Sequence, residues 1–169
     1  MQDLDKNIDT LKIDLFSGNI ELVIDAINRV KLSSHFELID SLFDLYITTQ
    51  KQEIKNHLFS FFIDIKDKRF VDKLVESIKK PKFTGITTEL FSICWQTGLD
   101  FSEHIEFFLE KLIAGNDEQA IECFSVIESS IDEIDEDQRK NLVLIFKSKE
   151  LDFDGVKKGL IQELIYMVE

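Results

Sequence analysis

Ile54-Lys55-Asn56-His57-Leu58-Phe59-Ser60 and, 32 residues later, Ile86-Thr87-Thr88-Glu89-Leu90-Phe91-Ser92 carry one phrase: an isoleucine, three residues, then Leu-Phe-Ser. Looser copies follow at Ala120 with Phe124-Ser125 and at Val156 with Leu160-Ile161, at further offsets of 34 and 36. Apolar residues four apart share one face of a helix. A helix-sized phrase recurring at this period marks a stacked helical repeat, because no single unit can bury its apolar stripe alone.

The flanking sequence has the same texture. Leu4, Ile8, Leu11 and Leu15 fall on one helical face. Gly18 suits a left-handed helix end and Asn19 a cap for a second helix bearing Val23, Ile27 and Val30. Ser34 with Glu37, Thr49 with Gln52, Asp100 with Glu103, Asn116 with Gln119 and Asp135 with Gln138 have capping-box spacing, in which the first side chain accepts the third amide and the third reaches back. Pro81, the only proline, stops the helix before it. Gly85 and Gly155 occupy matching places before Ile86 and Val156. The spacing predicts about ten helices joined by short connections, hence five antiparallel pairs with the Leu-Phe-Ser phrase on the second member. No linker or low-complexity stretch interrupts the chain, so residues 1–169 read as a single helical-repeat domain.

Composition agrees. The apolar content is 44%, with 6 glycines and 1 proline, too few for the turns of an all-β chain. The fold class expected is therefore all-α. Residues 70–130 (Phe-Val-Asp-Lys-Leu-Val-Glu-Ser-Ile, then Gly-Ile-Thr-Thr-Glu-Leu-Phe, His-Ile-Glu-Phe-Phe-Leu-Glu-Lys-Leu and Ala-Ile-Glu-Cys-Phe) resemble HEAT and armadillo-like repeats. The resemblance implies a right-handed α-solenoid whose second helices line a concave platform for another macromolecule.

The formal net charge is −13. A chain this acidic is a poor ligand for phosphate backbones and favours basic partners. The charge is uneven: residues 66–99 carry 7 bases against 4 acids, and residues 100–137 carry 13 acids against 1 base. Two patches are thus candidates for partner binding. One is basic, Lys66, Lys68, Arg69 and Lys73. The other is acidic, Glu103, Glu106, Glu110, Asp117, Glu118 and Glu122.

Chemistry-bearing constellations are thin. His35, His57 and His104 are far apart in sequence and lack metal-ligand spacing. No phosphate-cradling glycine loop or Gly-x-Ser-x-Gly occurs. Cys94 and Cys123 lie inside apolar stripes and read as small core hydrophobes. The acidic run 132–137 lacks the alternating ligands of a calcium loop and reads as a helix cap. Trp95, Phe61 and Tyr166 sit on second helices and are expected in the core; facing outward, any of them would be an interface anchor.

The leading reading is a non-enzymatic scaffold or adaptor that binds a basic protein, with no cofactor, no metal and no membrane, as a monomer or weak dimer in the cytoplasm. One version of it is an immunity or inhibitor protein covering a basic toxin. The resemblance also leaves open a HEAT-like DNA glycosylase, which would need a positive concave groove.

Overall fold

The computed structural model describes residues 2–33, 35–150 and 155–169, with side chains from residue 7 onward except 149 and 150. Among them the protein is all-helical, 84% helix with ten α-helices and no strand. The helices are α1 (Gln2–Leu15), α2 (Ile20–Ser33), α3 (Ile39–Thr48), α4 (Gln52–Ile63), α5 (Arg69–Ile78), α6 (Thr87–Gln96), α7 (Ile105–Ala114), α8 (Asp117–Ser130), α9 (Glu136–Glu150) and α10 (Gly155–Val168).

Several ends form as their sequence dictates. Gly18 has φ +77°, and Asn19 Oδ1 accepts the amides of Glu21 and Leu22 at 3.0 and 3.3 Å. Asn116 and Gln119 make a reciprocal box: Gln119 N donates to Asn116 Oδ1 at 2.9 Å and Asn116 N to Gln119 Oε1 at 3.3 Å. Asp135 and Gln138 do the same at 2.8 and 2.9 Å. Gly115 permits the first box, since a Cβ there would sit 2.8 Å from the Gln119 Cβ and 2.9 Å from the Lys111 carbonyl.

Other ends differ from expectation. Thr49 does not cap α4; its hydroxyl accepts the Lys51 amide in a turn one residue earlier. Asp100 bonds the Ser102 amide at 2.8 Å and opens a 3-10 turn, Ser102–His104, so α7 starts only at Ile105. Pro81 begins a 3-10 segment, Pro81–Ile86, as its fixed φ and missing N–H allow. Gly85 lies inside that segment without positive φ, whereas Gly155 has φ +66°, so the matching glycines serve different geometries. Ser34, and residues 151–154 ahead of Gly155, lie outside the described residues.

The chain forms two compact units, Met1–Ile65 and Lys66–Glu169, with no linker at the boundary, where the charge balance turns from acidic to basic. In the first, α1 packs on α2 and α3, and α4 packs on α2 and α3. Its centre is aromatic: Phe43 stacks on Phe62 at 4.7 Å between ring centroids, with Phe61 and Tyr46 edge-on to Phe62.

In the second unit α8 is the central element, packing on α7, α6 and α10, while α9 packs on α10 and α5 on α6. The sequence explains why. Ala120, Cys123, Val126, Ile127 and Ser130 are all buried, a stripe of small and β-branched residues that lets α6 and α7 approach closely. Phe108 fills the space beneath, with Phe101 and Phe91 edge-on at 5.7 and 6.0 Å. Even-numbered helices pack in series within each unit, α2 with α4 and α6 with α8 and α10.

The repeated phrase is a packing register. Ile54 and Leu58 are buried in α4; Ile86 and Leu90 hold the same positions at α6. The register fails in α10, where Val156 is 43% exposed and burial moves to Ile161, Leu164 and Val168.

Candidate protein-binding surface

The four basic candidates lie at the start of the second unit. Lys66 is exposed, but its ammonium is engaged, donating to the carbonyl of Thr97, a residue fully buried at the end of α6. Lys68 is exposed. Arg69 forks onto Asp67, with Nε 3.0 Å from both carboxylate oxygens and Nη2 2.5 Å from Oδ2. The Arg69 side-chain bond, its backbone amide and its charge hold the Asp67 carboxyl below the usual carboxylate range. Lys73 is half-buried on α5. Lys66 and Arg69 thus serve local structure, and the patch is less available than its charge count implies.

The six acidic candidates divide between two helix faces. Glu103, Glu106 and Glu110 are exposed on the α7 side, next to α5. That side is mixed in sign: His104 Nε2 lies 3.0 Å from Asp72 Oδ1, and the ammoniums of Lys79 and Lys111 sit 5.0 and 5.3 Å from the Phe107 ring centre. Asp117, Glu118 and Glu122 begin α8, Asp117 and Glu118 exposed and Glu122 half-buried.

The α6–α8 side differs in kind. Residues 87–96 and 117–130 contain five acids, Glu89, Asp117, Glu118, Glu122 and Glu128, and no lysine or arginine. On this side Trp95 is 38% exposed and Ile121 48%, and the Trp95 indole N–H donates to Glu122 Oε2 at 2.7 Å. Tyr166 on α10 is 79% exposed. Of the three second-helix aromatics expected in the core, only Phe61 is buried. Trp95 escapes because it follows Cys94: the buried stripe is Leu90, Phe91, Ile93 and Cys94, and the next position turns past its edge.

Sequence reasoning thus passed over Ile121 and Glu128, and expected Trp95 in the core while naming it an interface anchor should it face outward. The signal was present as two helices, both without cations, whose outward positions could be phased against their buried stripes.

No protein-family model, no curated protein and no solved structure matches this chain.

Both cysteines and His35 are buried. Burial, then the neighbouring Cys123, pushes the Cys94 thiol well up; burial and the Glu122 charge push the Cys123 thiol up against a smaller opposing effect of Lys111. His35 is buried beside Glu37, Nδ1 to Oε1 at 3.0 Å. Among the described residues no group of three metal-ligating side chains converges, and no helix is long and apolar enough to cross a membrane. The recess between α1 and α2, lined by Asn7, Leu11, Arg29, Leu32 and Ser33, is open, and its one cation already pairs with Asp14 at 2.9 Å.

Proposed function

We propose that the chain is a non-enzymatic protein-interaction module of the HEAT or armadillo-like solenoid kind. In this reading its second helices form the working surface and the α6–α8 face receives a basic protein. One observation carries the reading: two helices that contain no lysine or arginine expose Trp95 and Ile121 among glutamates. An apolar centre ringed by charge of one sign is how a protein interface combines affinity with partner selection. The packing of α6, α8 and α10 in series supports the solenoid reading.

The rival, a nucleic-acid enzyme, needs a positive groove and a buried carboxylate. Here phosphates would meet carboxylates, and the buried polar side chains among the described residues are His35, Ser77, Thr97 and Ser130. The inhibitor of a basic toxin remains a special case of the module.

A positional-scanning peptide library on the immobilised protein tests the reading. Basic peptides carrying apolar residues are expected to be enriched, and the double variant Glu118→Lys, Glu122→Lys to lose them. Enrichment of acidic peptides, or enrichment indifferent to the double variant, overturns it.

A further inference from the structure

The proposed docking face contains a more specific element. Resting on that reading, we propose that Trp95 and Glu122 together receive an arginine of the basic partner. The guanidinium stacks on the indole while its N–H fork bonds the carboxylate.

The Trp95–Glu122 bond is edge-on, from indole Nε1 to Oε2 at 2.7 Å. It occupies the one donor of the indole and leaves the ring faces, where the negative quadrupole attracts a cation. It also leaves Glu122 Oε1 as an acceptor. The two groups hold each other in place before a ligand arrives, so little side-chain freedom is lost on binding. Arginine fits better than lysine because its planar fork can stack and donate in the same plane, whereas an ammonium is a point charge.

Lysine ammoniums of the chain approach other rings, including the buried Phe83 and Tyr46. Phe107 carries the ammoniums of Lys79 and Lys111, Phe83 that of Lys82 at 4.9 Å, and Tyr46 that of Lys55 at 5.9 Å. Among the described residues Trp95 has no such companion, and α6 and α8 contain no lysine or arginine to provide one. Its cation must come from outside the two helices. Glu118 and Glu128, on the same side of α8 as the 48% exposed Ile121, raise the local concentration of a cationic segment.

Trp95 is the chain's only tryptophan, so its emission reads the site directly. The probes are three helical Ala/Leu peptides of one sequence bearing arginine, lysine or glutamate at the same positions, followed by fluorescence anisotropy and by Trp95 emission. The arginine peptide is expected to bind tightest and to change the emission; the glutamate peptide should do neither. Trp95→Leu should lower arginine-peptide affinity by about twofold to thirtyfold, the range of a cation–π contact. Glu122→Gln should narrow the arginine-to-lysine ratio.

Equal binding of the arginine and lysine peptides, or arginine binding untouched by Trp95→Leu, overturns the arginine receptor. If Glu118→Gln with Glu128→Gln still weakens binding in that case, the docking face stands without it. Binding indifferent to that pair as well, or no binding of any peptide, overturns both. Far-UV circular dichroism verifies each variant. Should Trp95→Leu fail to fold, Glu122→Gln and the wild-type emission decide the question.

Discussion

The ammonium of Lys66 donates to the main-chain carbonyl of Thr97, 31 residues further on. That carbonyl ends α6, where the helix dipole is negative and the last acceptors lack partners within the helix. The Thr97 hydroxyl contributes to the same junction, donating to the Cys94 carbonyl at 2.8 Å and accepting the Leu99 amide at 3.1 Å. Lys66→Met keeps the stem and removes the donor. It should lower stability by about 0.5–1 kcal/mol, since the exposed ammonium is partly screened by water, measured by urea denaturation. An unchanged midpoint would return Lys66 to the surface patch.

Two buried serines make opposite predictions. Ser130 Oγ accepts the Phe101 amide at 3.0 Å, so Ser130→Ala strands a buried N–H and should cost about 1–3 kcal/mol. Ser77 Oγ is buried without a hydrogen-bond partner, so Ser77→Ala should be neutral or stabilising. Thermal melts of the two variants side by side provide the check; equal losses would contradict the assignment.

The thiols give a kinetic prediction. With both pKa values raised by burial, the thiolate fraction of Cys94 and Cys123 near neutral pH is very small. Ellman's reagent should react slowly with the native protein and rapidly in denaturant, and the native rate should follow local opening of the α6–α8 contact. Prompt reaction of either cysteine in buffer would contradict its burial.

Asp67 supplies the pH dependence. Its carboxyl is depressed in the folded state, chiefly by the Arg69 side-chain bond, so its stabilising contribution is present above the unfolded value. It fades as pH falls through the folded value. Arg69→Gln should raise the Asp67 pKa toward that of a free carboxylate, read by carboxyl carbon NMR titration. The stability of the variant should then vary less than that of the wild type across the acid range. A titration midpoint unmoved by the substitution would show that the backbone amide alone lowers it.

Much of this was legible in the chain. Periodicity placed the ten helices, because one stripe per helix must be buried. Asn116-Gln119 and Asp135-Gln138 were readable as caps, because a capping box is local in sequence. The starts of α3 and α7 were read too early, since a cap can open a 3-10 turn as well as an α-helix. The surface was harder. Trp95 and Tyr166 look like core residues by type, and only their helical phase against Cys94 and Leu164 turns them outward. Charge counted along the chain grouped Glu106 with Glu122, whereas folding sets them on helices with different neighbours. Nor could any local pattern show that Lys66 reaches Thr97, a contact created by tertiary packing.

Two long side chains alter how the C-terminal end can come apart. Lys157 Nζ donates to the carbonyls of Ile113 and Gly115 at 2.7 and 2.5 Å, and Arg139 reaches the carbonyls of Ile131 and Met167 at 3.3 and 3.1 Å. A helix at the edge of a packed unit ordinarily opens before its centre. Here α10 is latched to the tail of α7 through one cation and to α9 through the other. Release of α10 must therefore break these bonds as well as its packing on α8 and α9. The last pair should exchange its amides with the body of the unit, not ahead of it.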